Sequence, residues 1–456
     1  MSFGNYKTFF VHGMARSGRA AAMLLADKGR AVLVSDDSDD VLRALDADAD
    51  FAHAGDITRV RGADAEKTVE QCDCLVLSPG VPIDHPLVTR ARAVGVAVIG
   101  EIEAAFHFTH ARIVGVTGTN GKSTVVGIIG EILAQSGSDV IVAGNVGTPF
   151  SEVVRENDPE TLVLELSSFQ LDTIDEFRVD VAVLLNVTPD HLDRYHNSLE
   201  EYAASKSRIL NRAAGETFYV YNADDTYASE FATGYDGPKA AFSSSRRIEN
   251  GVFVEDGNIH RQWRGNDELI LPRGEFTPVG IHNAANATAA VAATIPFGVG
   301  ADVVRSALRA YRPLPHRMEL VRVVGGVAYV NDSKATNVDA ALKSLASLDG
   351  GAIIILGGRD KEGDFSPLVS FAGRIRLAVL IGEAREKIAS VLAGHCETEF
   401  ANDMTNAVRA CSTAAQVGDT VLLAPACASF DMFDSYQHRG EVFRDCVNAL
   451  TERNKN

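Results

Sequence analysis

The segment GVTGTNGKST at 115–124 constrains this chain more than any other stretch. An apolar run, RIVGV, leads into it, and the residues after it repeat apolar side chains at the spacing of a helix that ends near Gly137. Glycines between a strand and a helix let backbone N–H groups surround phosphate oxygens, and a lysine there reaches the β- and γ-phosphates. The segment predicts a nucleotide-binding loop built on Lys122, with Ser123 or Thr124 facing a metal ion. A glycine-rich turn that binds no nucleotide is the alternative.

Length and composition limit the number of domains in this chain and the kinds of ligand it can bind. A chain of 456 residues, 46% of them hydrophobic, is long enough for two or three domains. Its formal charge of −18 disfavours sequence-independent binding of nucleic acid or anionic lipid, so a phosphate ligand has to meet local positive charge. The sequence shows neither a signal-peptide pattern nor an apolar run of membrane-spanning length, which predicts a cytoplasmic protein without membrane insertion. The six scattered cysteines are expected to be reduced.

Short apolar runs alternate with helix-like runs along nearly the whole chain, which is typical of parallel α/β sheets. The proline-rich YRPLPHR at 311–317 is a candidate linker. We therefore predict a three-domain α/β protein, with a Rossmann-like N-terminal domain at 1–108, a central P-loop ATPase-like domain at 109–313, and a Rossmann-like C-terminal domain at 314–456. The polar stretch 223–278 is expected to form short strands and loops.

The first domain carries a glycine-containing turn, GMARSG, between its first two strands. Gly13 and Gly18 suit a tight turn and close helix packing, but Ala15 replaces the middle glycine of a dinucleotide-binding turn. Asp36 closes the second strand and favours a nucleotide or sugar-nucleotide end over an ordinary βα turn, which stays open as the alternative.

Three charged positions stand out in the central domain. Glu165 lies inside an apolar strand, where a charge is costly unless it is paired or bound to a metal. His191 lies in the polar turn NVTPDHLDRY at 186–195, after another strand. Lys206 falls on the apolar stripe of a helix whose start, with Ser198 and Glu201, carries a capping-box signature. Each position has an alternative explanation. Glu165 could form an ordinary ion pair, His191 could lie in a solvated turn, and Lys206 could extend its ammonium group from the apolar face into water.

The loop TGTNGKST resembles the modified phosphate loop of the muramyl ligases and the folylpolyglutamate synthetases, in which the first glycine is displaced as it is here, where Gly115 and Gly118 flank Val116. The likeness to muramyl ligases extends through most of the chain. It implies ATP and Mg²⁺ as cofactors, a UDP-sugar-binding first domain, an ATP-binding central domain and an amino-acid-binding C-terminal domain.

The resemblance also implies roles for individual residues. Lys122, His191 and Lys206 match catalytic positions, and Lys206 matches a lysine that reacts with carbon dioxide to give a carbamate. The expected metal ligands are Ser123, Glu165, His191 and the carbamate of Lys206. The expected ATP-binding residues are Gly118, Thr119, Asn120, Gly121, Lys122, Ser123, Thr124, Asn283, Asn286, Arg317 and Asp332.

The motifs SKATN and PACAS favour the family members that add D-glutamate. The resemblance then implies UDP-N-acetylmuramoyl-L-alanine and D-glutamate as substrates, and a monomer. The expected substrate-binding residues are Asp36, Asn145, Ser167, Lys334, Thr336, Lys361, Ser429 and Phe430. Two alternatives stay open: a muramyl ligase that adds another amino acid, and a non-catalytic nucleotide-binding protein.

Overall fold

A computed structural model describes residues 3–46, 51, 57–62, 64–145, 147–212, 215–276, 281–312, 315–348, 351–360 and 363–450. These residues form three β-sheets that follow one another along the chain, with helices between the strands. The α/β class predicted from the alternating pattern is confirmed. No helix in these ranges is both long and apolar enough to cross a membrane.

The first sheet is parallel throughout, in the order β3-β2-β1-β4-β5. Strands β1 and β4 are almost wholly buried because helices cover both faces of the sheet. The strands are β1 (Thr8–His12), β2 (Ala31–Ser35), β3 (Ile57–Arg59), β4 (Cys74–Leu77) and β5 (Ala97–Gly100). The described helices are α1 (Arg16–Asp27), α2 (Asp39–Asp46), α3 (Asp64–Val69), α4 (Pro86–Ala93) and α5 (Glu101–Phe106).

The second sheet has nine strands in the order β14-β13-β12-β11-β10-β9-β6-β8-β7. Strands β6 to β12 run parallel, and β13 and β14 add antiparallel pairs at one edge. The strands are β6 (Arg112–Thr117), β7 (Val140–Gly144), β8 (Thr161–Glu165), β9 (Val181–Leu184), β10 (Phe218–Asn222), β11 (Lys239–Ser243), β12 (Gly251–Glu255), β13 (Asn258–Trp263) and β14 (Asn266–Pro272).

The helices of the central region are α6 (Lys122–Gln135), α7 (Phe150–Glu156), α8 (Ser168–Leu171), α9 (Leu199–Ser207), α10 (Thr226–Thr233), α11 (Ile281–Ala293) and α12 (Ala301–Ala310). The apolar stripe predicted after the phosphate loop is buried in α6, from Val125 to Leu133. The prediction of strands and loops for 223–278 was incomplete, because α10 also lies there. Asp225 caps this short helix by accepting a hydrogen bond from Ala228 N, a local cue that the polar composition hid.

The third sheet has six strands in the order β15-β16-β20-β17-β18-β19, all parallel except for the β15–β16 pair. The strands are β15 (Glu319–Val324), β16 (Val327–Asn331), β17 (Ala352–Gly357), β18 (Ile375–Ile381), β19 (Thr398–Phe400) and β20 (Thr420–Leu423). The helices are α13 (Val338–Ala346), α14 (Arg385–Leu392), α15 (Met404–Ala414) and α16 (Tyr436–Asn448). All six cysteines are free, as expected.

Candidate active site

The phosphate loop joins the end of β6 to the first residue of α6. Gly118 and Gly121 have φ angles of 149° and 92°, which favour glycine. Lys122 begins α6, and its Nζ donates to the carbonyl oxygens of Gly118 and Thr119 at 2.8 Å each. The lysine side chain thus folds back over its own loop.

The loop is held in place by the segment that follows β9. Thr119 N donates to Asn186 O at 2.9 Å, and Asn120 N donates to the side chain of Asn186 at 2.9 Å. The hydroxyl of Thr119 donates to Thr188 O at 3.1 Å and accepts from Thr188 N at 3.0 Å. These bonds anchor the phosphate loop to the segment that follows β9.

Glu165 ends β8 next to the loop and is only 2% exposed. Its Oε1 accepts from Asn145 Nδ2 at 3.1 Å. Burial raises the pKa of this carboxyl, but the charges of Lys122 and Lys334, with hydrogen bonds from Ser123 and Asn145, outweigh burial and hold the pKa below its ordinary value. Oε2 is buried and has no hydrogen-bond partner in the described part of the chain. An ionised carboxylate with a free oxygen beside a serine hydroxyl is a donor set that suits Mg²⁺.

Lys206 is 1% exposed on α9, as the apolar stripe predicted. Its Nζ donates to Gly118 O at 3.0 Å and lies 4.2 Å from the centre of the Tyr202 ring. Burial is the largest cause that lowers the pKa of this lysine well below its ordinary value, and repulsion from Lys122 is the second. The predicted capping box is only half formed: Ser198 accepts from Glu201 N, while the Glu201 carboxylate contacts His196 at 2.8 Å.

A cavity of about 250 Å³ opens beside the phosphate loop. The central region contributes Asn120, Gly121 and Asn286 to its wall, and Asn286 Nδ2 donates to Asn283 Oδ1 at 3.3 Å on the same face of α11. The C-terminal region contributes the predicted residues Arg317, Asp332 and Lys334. The structure thus brings five of the eleven predicted ATP-binding residues, together with Lys334, to one cavity.

Asp332 and Arg317 face that cavity from the C-terminal side. Asp332 is 6% exposed; burial raises the pKa of its carboxyl, although the Arg317 charge and a hydrogen bond from Ser344 oppose the shift. Met318 N donates to its Oδ1 at 3.2 Å. Arg317 Nε is buried without a hydrogen-bond partner among the described residues, so a donor is available at the cavity wall.

Four side-chain hydrogen bonds join the two regions across the cavity. Lys334 Nζ donates to Ser123 Oγ at 2.5 Å, and Asn337 Nδ2 donates to Asp190 Oδ2 at 2.9 Å. Asp339 Oδ2 accepts from Asn120 Nδ2 at 2.5 Å and from Thr188 Oγ1 at 3.0 Å. Asn337 and Asp339 were missed by the sequence reasoning, although Asn337 is the last residue of the SKATN motif.

A second cavity, of about 510 Å³, lies on the other side of these bonds. Its wall includes His191, which was expected to be a catalytic residue and metal ligand, and Thr336, which was expected to contact substrate. Lys361, which the sequence placed at this site, lies outside the described residues. Ser429 is 2% exposed and Phe430 is 64% exposed, and neither lines either cavity.

The remaining predicted substrate residues are spread over two regions. Asp36 follows β2 in the first sheet, where its Oδ2 accepts from Met14 N at 2.7 Å and so holds the turn before α1. The predicted packing role of Gly18 is confirmed, since a Cβ there would lie 1.9 Å from Gly13 O. Ser167 caps α8 together with Gln170. Asn145 contacts Glu165. Thr124, which was expected to bind ATP, lies within α6.

Three family models match the chain in order. They are the Mur ligase MurD-like N-terminal domain at residues 7–100, the Mur ligase middle domain at 116–294, and the Mur ligase glutamate ligase domain at 316–427. The chain belongs to the Mur ligase family.

Similar proteins support this membership, and the similarity covers nearly the full length of this chain and of theirs. A UDP-N-acetylmuramoylalanine--D-glutamate ligase of Acidobacterium capsulatum is 42% identical over 97% of this chain and 96% of its own. The protein of the same name from Koribacter versatilis is 39% identical over 98% of this chain and 99% of its own.

Solved structures share the three-sheet architecture at low identity. A pseudomurein peptide ligase type C from Methanothermus fervidus aligns with a TM-score of 0.64 at 17% identity, covering 98% of this chain and 100% of that one. The MurF ligase of Thermotoga maritima, solved in complex with ADP, aligns with a TM-score of 0.62 at 15% identity, covering 97% of this chain and 95% of that one. These likenesses establish the fold.

Proposed function

We propose that this Mur ligase uses ATP to join D-glutamate to UDP-N-acetylmuramoyl-L-alanine in peptidoglycan precursor synthesis. The observation that carries the proposal is the 42% identity, over 97% of the chain, to a ligase of that name. The closed cleft between the central and C-terminal regions supports it, because a ligase has to bring a nucleotide and an amino acid together.

The nucleotide is assigned to the cavity of about 250 Å³. Residues 118–124 would hold the phosphates through their backbone N–H groups and Lys122, while Asn283 and Asn286 lie at the adenine end. Asp332 is assigned to the ribose, and Arg317 and Lys334 to the phosphates. Burial, followed by repulsion from Arg317, lowers the pKa of Lys334 to about 8, so it is a cation at neutral pH and gains from an anionic ligand.

The reaction follows from this arrangement in two displacements. An oxygen of the L-alanyl carboxylate attacks the γ-phosphorus, the bond to the β-phosphate oxygen breaks, and ADP leaves. The uncharged amine of D-glutamate then attacks the acyl carbon, loses a proton, and expels inorganic phosphate as the amide forms. Lys122 and Lys334 neutralise charge on the transferring phosphoryl group, and the protein's larger contribution is to position the reactants.

The residues around Glu165 fit a magnesium ion. Ser123 and Glu165 would hold it beside the phosphates, and we assign His191 and a carbamate of Lys206 to the same metal-binding function. A bound magnesium ion supplies charge neutralisation of the phosphate oxygens. The free Oε2 of Glu165 is the feature that supports this assignment.

The amino acid is assigned to the cavity of about 510 Å³, which Thr336 lines. The resemblance to the muramyl ligases adds Lys361, Ser429 and the Phe430 backbone as further contacts, although Ser429 and Phe430 lie outside the cavity wall. A dicarboxylate needs cationic and N–H donors at both ends, and Lys361 is the cation that the sequence supplies there. The nucleotide-linked sugar is assigned to the first region, with Asp36, and to Asn145 and Ser167 of the neighbouring central region. We also propose that the three domains meet between residues 108 and 109 and between residues 313 and 314.

The test is phosphate release from ATP in the presence of UDP-N-acetylmuramoyl-L-alanine and, in turn, D-glutamate, L-glutamate, L-lysine and diaminopimelate. Release that depends on D-glutamate, and is lost in Lys122→Ala but kept in Lys67→Ala, is the expected result. Lys67 is an exposed lysine on α3 and controls for loss of a positive charge. Release that depends on a different amino acid would replace D-glutamate in the proposal, and amino-acid-independent binding of ATP without turnover would reject a ligase.

A further inference from the structure

Three potential metal ligands meet at the carboxyl edge of the first sheet, outside both cavities described above. His12 ends β1, Asp37 follows β2, and His85 caps the N-terminus of α4, in the loop that leaves β4. The strand order reverses between β1 and β4, which is where open α/β sheets form a ligand-binding crevice. Within the described part of the chain, these are the residues whose His, Cys, Asp or Glu ligand atoms converge as a group of three.

The distances between the ligand atoms match those around a small metal ion. Asp37 Oδ1 lies 3.6 Å from His12 Nε2 and 3.3 Å from His85 Nε2, and all three atoms lie within 4.8 Å of one another. Zinc bonds of roughly 2.0–2.1 Å in tetrahedral geometry place neighbouring ligands about 3.3 Å apart. Small side-chain shifts are therefore enough to bring the three atoms onto one ion.

His12 supplies an independent indication of a ligand. The side chain is 3% exposed, and its Nε2 is buried without a hydrogen-bond partner among the described residues. Its other ring nitrogen, Nδ1, lies 2.8 Å from the hydroxyl of Ser35. A metal-binding histidine is usually held by a polar group at the ring nitrogen that does not bind the metal, and here Ser35 holds Nδ1 and leaves Nε2 available as the ligand atom.

His85 has a competing hydrogen bond that the metal has to displace. Its Nδ1 accepts from Leu87 N at 3.2 Å, which puts the proton of the neutral ring on Nε2. Binding through Nε2 moves that proton to Nδ1 and gives up the hydrogen bond at the start of α4. The bond is long for its type, so one weak capping contact is exchanged for a metal–nitrogen bond.

We propose that His12, Asp37 and His85 form a binding site for a divalent transition metal of the Zn²⁺ class. Two imidazoles and one carboxylate suit Zn²⁺, Co²⁺ or Ni²⁺, whereas Mg²⁺ prefers oxygen ligands. Asp37 is 76% exposed, so a fourth position is open to water or to a ligand in the crevice. This site is separate from the residues assigned to Mg²⁺ and does not depend on the proposed ligase activity.

The experiment titrates the full-length protein with Zn²⁺ by calorimetry and with Co²⁺ by visible absorption, both in excess Mg²⁺. The variants are His85→Gln and Asp37→Asn, and the matched control is His395→Gln, which removes an exposed histidine from the C-terminal region. His12→Gln is informative as well, but the other two positions are more exposed and tolerate substitution better. Ser35→Ala tests the residue that supports His12.

The expected result is one Zn²⁺ site, with Co²⁺ bands of tetrahedral intensity, in the wild type and in His395→Gln. His85→Gln and Asp37→Asn should each lose that site, and Ser35→Ala should weaken it roughly 10-fold or more. A wild type that binds no Zn²⁺, or His85→Gln and Asp37→Asn variants with unchanged stoichiometry and affinity, would overturn the proposal. Either outcome leaves the test of amino-acid-dependent phosphate release unaffected.

Discussion

The side-chain nitrogens of two lysines converge on one carbonyl oxygen in the phosphate loop. Lys122 and Lys206 donate to Gly118 O at 2.8 and 3.0 Å. The repulsion between them adds to burial in lowering the pKa of Lys206, and the neutral amine that results is the form that reacts with carbon dioxide. A carbamate at Lys206 would turn this repulsion into attraction and would supply the oxygen ligands that Mg²⁺ prefers.

We therefore predict that Lys206→Arg and Lys206→Ala each lower kcat roughly 100-fold or more, because neither side chain can form a carbamate. Wild-type activity should also fall in buffer stripped of bicarbonate and recover when bicarbonate is added. Phosphate release and mass spectrometry of the rapidly trapped lysine measure these effects. An arginine variant with near-normal kcat would show that Lys206 acts as a cation.

Glu101 is a buried carboxyl that connects the first and second regions. It is 2% exposed on α5, and its Oε1 accepts from Ser151 N of α7 at 2.6 Å. Burial raises its pKa from 4.5 to about 7, although hydrogen bonds with Ser151 oppose the shift. The folded state therefore favours the neutral acid, and the stabilisation is complete below pH 4.5 and is lost as the pH rises through 7.

We predict that Glu101→Gln, which stays neutral, is more stable than the wild type by about 3 kcal/mol at pH 8 and nearly equal to it at pH 4.5. Urea unfolding at several pH values between 4.5 and 8 measures the difference. Glu103→Gln is the matched comparison on the same helix. Hydrogen bonds from His107 and from three backbone N–H groups hold the pKa of Glu103 below its ordinary value against the effect of burial, so this variant should be destabilised at pH 8. A pH-independent difference for Glu101→Gln would contradict the prediction.

At the scale of single elements, the sequence predicted the phosphate loop and α6 well, because an apolar stripe between glycines is a local pattern. Asn283 and Asn286 are three residues apart, a spacing that places both on one face of α11. The sequence could not predict that α11 approaches the loop so closely that a Cβ on Gly121 would lie 2.4 Å from Asn286 Oδ1. That contact joins residues far apart in the chain, and no local periodicity encodes it.

The close approach predicts a selective loss of nucleotide binding in Gly121→Ala. Both Gly121 and Gly137 have positive φ, at 92° and 90°, so alanine costs about 1–2 kcal/mol of backbone strain at either position. Only Gly121 also has a close neighbour, because Gly137 faces open space. ATP affinity, measured by calorimetry, should fall more than 10-fold in Gly121→Ala and stay unchanged in Gly137→Ala. Equal affinities in the two variants would show that the approach of α11 does not shape the ATP site.

At the scale of the whole molecule, the closed arrangement depends on residues that the sequence only partly revealed. Lys334 stood out because it lies in a recognisable motif, and its contact with Ser123 joins the C-terminal region to the phosphate loop. Asp339 was not singled out, because an acid in the first turn of a helix is explained by the helix dipole alone. Only the packing of α13 against the loop shows its second role. The order of the strands within each sheet likewise depends on long-range pairing that local patterns do not carry.

Asp339 makes two of the four side-chain hydrogen bonds that join the central and C-terminal regions. Its Oδ2 accepts from Asn120 and Thr188 of the central region and from Lys343 Nζ, at 2.7 Å, on its own helix. Hydrogen bonds to a charged group contribute more than neutral ones, and this carboxylate makes two of them across the cleft. The third bond, to Lys343, holds the carboxylate in position next to the loop.

We predict that Asp339→Ala shifts the protein towards an open arrangement, in which the C-terminal region swings about the linker near Pro315. The radius of gyration without ligand should rise, and the KM for ATP should rise roughly 10-fold, because part of the binding free energy is then used to close the cleft. Small-angle scattering with and without ATP, together with steady-state kinetics, measures both effects. Asp302→Ala is the matched control, since this exposed acid pairs with Arg305 on its own helix. Saturating ATP and muramyl substrate should restore the wild-type scattering curve in Asp339→Ala. If the scattering curve of unliganded Asp339→Ala equals that of the unliganded wild type, the other hydrogen bonds across the cleft are enough to hold it closed.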